Sequence, residues 1–214
     1  TAAATASYAF DHTNITGNQN YELEVTQGTT TIVKKFTAVV SPTVVSETIP
    51  AGLVDGINYN PNDATKATLV LDAPLKDFVY VAGSFNNWQP TAAYAMKKDA
   101  TAGSTKFWLE LTGLTAGTNY TYQYWVVDQT PLAGSPSLVK AADPYSTLVL
   151  SPYDDGGIPA TSFPNLPAYP SGQEREVTWF KTGQTPYAWS QATLNFEKPA
   201  KEKLVLYLVL VRDF

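Results

Sequence analysis

Glycine and proline interrupt this chain so often that its sequence leaves little room for helices. No stretch of about ten residues free of both carries the i, i+3, i+4, i+7 apolar spacing of an amphipathic helix. Short runs recur instead, separated by clusters of glycine, proline, asparagine and aspartate. Such runs are typical of β-strands, so the chain is predicted to be all-β.

Residues 55–152 contain enough strand-like runs for a complete sandwich. An immunoglobulin-like sandwich uses about seven strands in about 100 residues. We therefore predict an immunoglobulin-like (E-set) β-sandwich over residues 55–152. The predicted strands are 67–72, 77–83, 94–98, 105–111, 119–127 and 145–150.

The first 41 residues hold only part of such a unit. Residues 20–26 alternate in period two, a Gln-Gly turn signal follows, and residues 30–40 form a second run, which together predict a hairpin. Residues 7–10 are a candidate third strand. Three strands are too few for a sandwich of about seven, so residues 1–41 are predicted to be a partial immunoglobulin-like β unit, the end of an upstream module. Residues 42–54 are predicted to be a linker.

Residues 153–203 lose the strand periodicity and are rich in proline and glycine. Such a composition is typical either of disorder or of an extended connector. Aromatic residues are too frequent here for disorder. We therefore predict an ordered connector that packs over the sandwich. The aromatic residues concerned are Tyr153, Phe163, Tyr169, Trp179, Tyr187 and Trp189.

A continuous apolar run, residues 204–211, lies close to the C-terminal end of the sequence. It is too short to cross a bilayer, which takes about 20 residues, so no membrane insertion is predicted. A run of this kind is typical of a strand buried on both faces of a parallel sheet, and such a sheet needs further strands. We therefore expect the chain to be a fragment of a longer protein. The unpaired edge of this strand is expected to pair with the fragment's own sheet or with a second copy.

Composition and charge exclude several classes of partner and chemistry. The net charge of −5 and the sequence pI near 4.8 argue against nucleic acid and anionic membranes as partners. The chain has no cysteine and one histidine, His12, so no Ser-His or Cys-His pair and no cysteine-based zinc site is expected. Charged residues make up 15% of the chain, against about 25% in an average soluble domain. A polar, uncharged, aromatic-rich surface suits neutral partners such as sugars.

The segment around Trp88 is the most specific pattern in the chain. A predicted strand ends at Gly83, and a turn containing Asn86 and Asn87 presents Trp88. An indole face can stack on a pyranose ring while amides bond the sugar hydroxyls. Alternatively, Phe85 and Trp88 pack beneath the turn. The residues alone leave both roles open.

Five strings of this sequence resemble those of one enzyme family. They are similar to strings in the N-terminal β-sandwich, the following connector and the first barrel strand of α-amylase-superfamily enzymes, glycoside hydrolase family 13. That sandwich belongs with carbohydrate-binding module family 48. The strings are GSFNNW at 83–88, YTYQY at 120–124, ADPY at 142–145, PNLPAYP at 164–170 and LYLVLVRDF at 206–214.

The resemblance implies a parent enzyme that hydrolyses starch-like α-glucans, with residues 204–214 as the first strand of a catalytic (β/α)8 barrel. The catalytic carboxylates of the family lie in later barrel strands, so no catalytic residue, cofactor or metal is expected here. This fragment would brace its barrel and hold glucan. We expect the parent to be secreted or held at the cell surface. A stand-alone carbohydrate-binding module and a structural immunoglobulin-like spacer of a surface protein are the alternatives.

The candidate carbohydrate-binding residues are Trp88, Asn86, Asn87 and Gln123. Of these, Trp88 matches the family pattern directly. Gln123 stands where glycogen-binding members have lysine, and no tryptophan follows Asp128 where a second one is usual. Leu208 likewise replaces the glutamate that is usual in the first barrel strand.

The remaining charged and aromatic residues are predicted to be structural. Asp154 and Asp155 are interpreted as a solvated turn rather than a calcium site, and His12 as a solvated loop residue. Glu174, Arg175 and Glu176 are interpreted as a surface cluster. Trp108 and Trp125 are expected in core or connector packing, and Asp213 at the end of the barrel strand has no catalytic partner in this chain.

Overall fold

The computed structural model describes residues 9–185, 188–203 and 205. Their secondary structure is almost entirely β, which confirms the predicted all-β class. The chain divides into two compact units, Thr1–Gly183 and Gln184–Phe214. Among the described residues, no helix has the length and apolar character needed to cross a membrane.

The strands are numbered in chain order. The described part also has four 3-10 helices and one short α-helix, α1, which spans Gln191–Leu194 in the second unit and is capped by Ser190. The 3-10 helices are Ser84–Asn86, Ala92–Tyr94, Asp155–Gly157 and Lys201–Lys203. The strands are β1 Gln19–Gln27, β2 Thr30–Ala38, β3 Gly56–Tyr59, β4 Ala67–Asp72, β5 Phe78–Gly83, β6 Lys97–Lys98, β7 Lys106–Leu111, β8 Tyr120–Val127, β9 Leu138–Ala141, β10 Val149–Leu150 and β11 Val177–Phe180.

Two antiparallel sheets pack into a β-sandwich. One sheet has the order β3-β4-β7-β6, and the other has the order β10-β11-β8-β5 with β9 also paired to β8. Side chains alternate between the faces of a strand, so Val79, Val81, Tyr122 and Tyr124 point into the core between the sheets. Phe78, Tyr80, Trp125 and other residues of β5 and β8 form a second apolar cluster on the outer face.

The predicted strands match the observed strands best where the apolar runs of the sequence are long. Strand β4 has its predicted bounds, while the predicted strands 94–98 and 145–150 shrink to β6 and β10. The sequence analysis missed β3, β9 and β11. Strand β11 lies within the proline-rich connector and pairs with the first part of β8, so this segment contributes to the sandwich itself.

The N-terminal hairpin forms as predicted. Strands β1 and β2 pair antiparallel along their full length, from Gln19 opposite Ala38 to Gln27 opposite Thr30. The candidate third strand at 7–10 is not formed at residues 9 and 10, and residues 7 and 8 lie outside the described part. The predicted strand at 204–211 also lies outside the described residues, except Val205, which is not in a strand.

Part of the predicted linker 42–54 is attached to the sandwich. Ser46 forms a parallel bridge with Lys98 of β6. The Glu47 amide donates to the Lys98 carbonyl at 3.0 Å, and the Trp108 indole donates to the Glu47 carbonyl at 2.8 Å. Residues 45–47 therefore extend the edge of the four-stranded sheet.

A buried carboxylate ties the five-stranded sheet together. Asp143, in the ADPY string, accepts hydrogen bonds from the hydroxyls of Tyr122 at 2.7 Å and Tyr124 at 2.9 Å. It also accepts from the Tyr145 amide at 2.8 Å, and its own amide donates to the Thr178 hydroxyl at 2.7 Å. The ADPY string is thus a structural element that joins β8 to β11.

Candidate functional site

The turn after β5 presents Trp88 in a constrained backbone. Asn87 and Trp88 both have left-handed conformations, with φ of 52° and 58°. The Trp88 amide donates to the Gly83 carbonyl at 2.9 Å. A side chain at Gly83 would stand 2.6 Å from the Thr121 carbonyl oxygen. Glycine at 83 therefore lets the turn fold back onto β8.

Asn86 uses its side chain to hold this turn. Its Oδ1 accepts from the Gly83 amide at 2.9 Å, and its Nδ2 donates to the Val81 carbonyl at 3.0 Å. Both heteroatoms of the side chain are thus engaged within the turn, which is a structural role not anticipated for this candidate sugar contact. The neighbouring Asn87 is exposed.

Phe85 and Trp88 have different positions, although the sequence analysis treated them together. Phe85 packs inward against the core, beside Tyr94, Tyr120 and Phe180. Trp88 is partly buried on the other side of the sheet, against the outer-face cluster that includes Trp125. Phe85 therefore packs beneath the turn, while Trp88 lies at the outer surface.

Trp88 lines an open groove of about 780 Å³. The turn contributes residues 87–89, the sheet contributes Trp125 and Lys140, and the connector contributes residues 172–174. The hairpin contributes residues 20–22 and 33–37. The groove is therefore built by the sandwich, the hairpin and the connector together.

Two asparagines hold the hairpin to the Trp88 turn. The Asn20 amide donates to Gln89 Oε1 at 2.5 Å and accepts from the Thr37 hydroxyl at 2.7 Å. The Asn18 amide donates to the Pro90 carbonyl and accepts from the Val40 amide at 2.6 Å. The hairpin face that contains Asn20 thus faces the turn.

Gln123 does not lie at the surface, which corrects its assignment as a candidate sugar contact. Its side chain is completely buried. Its Nε2 donates to the carbonyls of Glu174 at 2.6 Å and Glu176 at 2.9 Å. The connector leading into β11 covers this position of β8, so Gln123 fastens the connector to the sheet.

Trp108 and Trp125 are both buried, as predicted, and each is covered by a lysine. Lys97 Nζ lies 4.3 Å from the Trp108 ring centroid, and Lys140 Nζ lies 4.4 Å from the Trp125 ring centroid. Lys140 also pairs with the Glu174 carboxylate at 3.7 Å. Of the two indoles, Trp125 is the one that lines the groove.

The other candidate residues form no second site within the described part of the chain. His12 is exposed and its Nδ1 lies 2.9 Å from the Tyr21 hydroxyl. Asp154 is exposed and accepts from the Ser151 hydroxyl at 3.2 Å, whereas Asp155, predicted to be solvated, is partly buried. Glu174 and Arg175 are exposed as predicted, and Glu176 is partly buried. Within residues 9–185, 188–203 and 205, no three His, Asp or Glu side chains group as metal ligands would. Asp213 lies outside the described residues.

No protein-family model matches this chain, and no curated protein matches it. One solved structure that this chain matches in part is the catalytic module of SpuA, a multi-modular glycogen-degrading pneumococcal virulence factor, in complex with an inhibitor. The match has 20% sequence identity and a TM-score of 0.33, and it covers 46% of this chain and 13% of the other. At these values the likeness carries no argument about the ligand or activity of this chain.

Proposed function

We propose that this chain binds α-glucan in the groove beside Trp88, as a non-catalytic part of an α-amylase-type glycoside hydrolase acting on starch-like glucans. The observation that carries the proposal is the position of Trp88 in a groove of about 780 Å³ that it shares with Asn87 and Gln89. An aromatic face next to neutral amides offers both stacking and hydrogen bonding to a sugar. The resemblance of the GSFNNW string to family 48 modules supports the same ligand class.

The size and charge of the groove also support a neutral oligosaccharide. Ligand sites have volumes of about 300–1,000 Å³, and this groove falls within that range. Its acidic residues are paired with lysines, Glu22 with Lys35 at 3.2 Å and Glu174 with Lys140 at 3.7 Å. Lys34 is the one further charged side chain among the lining residues, so the groove has a formal charge of about +1. A groove whose charges nearly cancel favours an uncharged ligand over a strongly ionic one.

The backbone of the turn is a further argument. A bulky residue with positive φ is uncommon and is held in place by its surroundings, and such conformations concentrate at functional sites. Trp88 is a residue of this kind, while Asn87 before it adopts this conformation more readily; Leu75 and Arg175 also have positive φ but do not line the groove. The turn thus holds the Trp88 ring at the groove at some cost in backbone strain, which fits a role in ligand contact.

Titration with maltoheptaose, followed by calorimetry and by tryptophan fluorescence, tests this proposal. Wild-type protein is expected to give a saturable signal, and Trp88→Ala is expected to lose it. Trp189→Ala is the matched control, because Trp189 is 61% exposed and does not line the groove. Absence of saturable binding by the wild type, or unchanged binding by Trp88→Ala, overturns the proposal. The chain alone is expected to release no glucose or maltose from maltoheptaose.

A structural role is the second candidate, and the hairpin contacts favour it. Asn18 and Asn20 of the hairpin bond directly to Pro90 and Gln89 of the turn. The same turn therefore acts as a clamp between the N-terminal hairpin and the sandwich. If maltoheptaose does not bind while substitution of Asn20 releases the hairpin, the chain is a structural spacer or a brace for its barrel. In either role we propose that the parent protein works outside the cytoplasm.

A further inference from the structure

The indole N–H of Trp125 has no hydrogen-bond acceptor among the residues that the structure describes, although the atom is shielded from solvent. Buried polar groups are nearly always hydrogen-bonded, so an unpaired one needs an explanation. The Trp125 side chain is only 3% exposed, yet the residue lines the same groove as Trp88. An unused donor therefore lies at the border of the proposed glucan site.

Lys140 is what covers the Trp125 ring. The two residues are directly opposite each other on β9 and β8, which places the lysine Nζ 4.4 Å from the ring centroid. Lys140 Nζ also forms an ion pair with the Glu174 carboxylate, whose side chain is 71% exposed. The ion pair ends on an exposed carboxylate and is therefore weak. The Lys140 side chain is 25% exposed and the ring beneath it 3%, so the cation–π contact is partly desolvated, and its loss is the main cost of moving Lys140 aside.

Trp108 also lies beneath a lysine, but its indole N–H is hydrogen-bonded. Lys97 lies over its ring at 4.3 Å and pairs with the Glu47 carboxylate at 2.8 Å. The Trp108 indole, however, donates to the Glu47 carbonyl at 2.8 Å. Trp179 is a third tryptophan beneath a lysine, Lys181 at 5.8 Å, and its indole N–H also has no acceptor in the described part of the chain, although it does not line the groove. Of these three indoles, only that of Trp125 both lines the groove and lacks an acceptor within the described residues.

We propose that Trp125 is a second glucan-binding residue, whose indole N–H donates to a sugar hydroxyl when Lys140 moves off its ring. Trp88 would stack on one glucose unit, and Trp125 would bond a neighbouring unit of the same chain. Lys140 and Glu174 then act as a displaceable cover that keeps the indole dry in the empty groove. This inference rests on the proposed function, because it assigns a further contact within the same site.

The first experiment follows the indole signals in a ¹H–¹⁵N NMR spectrum during titration with maltoheptaose. The Trp125 signal, assigned by its loss in Trp125→Phe, is expected to shift downfield as its N–H gains an acceptor. The Trp108 signal, assigned in the same way, is expected to stay in place because its N–H is already bonded. A stationary Trp125 signal at saturation overturns the inference.

The second experiment measures affinity for maltoheptaose. Trp125→Phe keeps an aromatic ring but removes the donor, so we expect binding about threefold to tenfold weaker, the usual effect of one neutral hydrogen bond. Lys140→Ala removes the cover and is expected to bind about twofold to tenfold tighter. Lys97→Ala is the matched control and is expected to bind like the wild type.

The outcomes separate this inference from the function it rests on. If the wild type binds, Trp88→Ala does not, and both Trp125→Phe and Lys140→Ala bind like the wild type, then Trp125 is only a packing residue and the inference fails alone. If the wild type does not bind maltoheptaose, the proposed function and this inference fail together. The affinity of Lys140→Ala keeps the test decisive even if Trp125→Phe does not fold, because it needs no signal assigned from that variant.

Discussion

The hydroxyl of Tyr122 donates to the carboxylate of Asp143 at 2.7 Å, and both side chains are almost fully enclosed. Tyr124 donates to the same carboxylate oxygen. Burial, reinforced by the neighbouring Asp143, raises the pKa of both tyrosines well above their ordinary value of 10.0. The folded protein therefore holds both phenols in the protonated form.

This pair predicts a loss of stability in alkali. Above about pH 10 the tyrosines ionise in the unfolded chain but not in the folded one, so the unfolded state binds fewer protons and stability falls as pH rises. Each tyrosine can contribute up to about 1.4 kcal/mol per pH unit in this range, and nothing below it. Urea unfolding at about pH 8 and again between about pH 10.5 and 11.5, on either side of the ordinary tyrosine pKa, measures the effect.

The double variant Tyr122→Phe/Tyr124→Phe is expected to reduce that alkaline loss. At about pH 8 it should be less stable than the wild type by about 1–3 kcal/mol for each hydrogen bond removed. Tyr153→Phe, at a site that is 67% exposed, is the control and should change neither value. An alkaline loss as steep in the double variant as in the wild type would show that other groups cause it.

Gly83→Ala is predicted to destabilise the sandwich. The added carbon would stand 2.6 Å from the Thr121 carbonyl oxygen and 2.7 Å from the Phe85 ring, which forces β8 or the turn to move. Overpacking of this kind costs about 1–3 kcal/mol. Thermal or urea unfolding measures the loss, and Gly156→Ala is the control because a carbon there meets nothing within 4 Å. Equal stability of the two variants would contradict the close approach of the turn to β8.

Asn20→Ala is predicted to loosen the hairpin without unfolding the sandwich. The change removes the bonds from Asn20 to Gln89 and from Thr37 to Asn20. Hydrogen exchange at β1 and β2 should become faster, while exchange in β8 should stay the same. Thr26→Ala is the control, because its hydroxyl bonds across the hairpin, to Thr31 at 3.0 Å, and not to the turn. Unchanged exchange in the Asn20 variant would mean that the bond from Asn20 to Gln89 does not hold the hairpin.

The apolar run at 204–211 predicts self-association of the isolated chain. An unpaired apolar strand edge is a template for pairing with another chain. Sedimentation velocity is expected to show a concentration-dependent dimer or larger species for residues 1–214, and a monomer for a chain ending at residue 203. Lys201→Ala/Lys203→Ala, which keeps the apolar run, should still associate. A full chain that stays monomeric across concentrations contradicts pairing with a second copy and favours the other expectation, pairing with the chain's own sheet.

Local sequence patterns were sufficient to predict the strands whose side chains form the core. Strand β4 is a run of apolar residues that ends at Asp72 shortly before Pro74, so its burial and its bounds both follow from the sequence. Strand β11 has only four residues and lies among prolines. It becomes a strand because β8 offers it a partner at Tyr120–Tyr122, which a local pattern does not contain.

The residues alone left open whether Trp88 packs beneath its turn or faces a groove, and the burial of Gln123 was not predictable, for a similar reason. Alternation along β8 places Gln123 on the outer face of the sheet, where a side chain normally meets solvent. The structure covers that position with the carbonyls of Glu174 and Glu176, which lie 51 and 53 residues away in sequence. The contribution of Trp125 and of the hairpin to the groove depends on non-local contacts of the same kind.

The bonds from Asn18 and Asn20 to the Trp88 turn have a practical consequence for where the chain can be cut. A protein beginning at residue 55 would retain Trp88, Asn87 and every strand of the sandwich. It would lack the hairpin residues that line one side of the groove, so the groove would be open on that side. A sugar-binding screen on such a shortened domain would measure only part of the proposed recognition surface, and its affinity would describe the truncated domain rather than the whole chain.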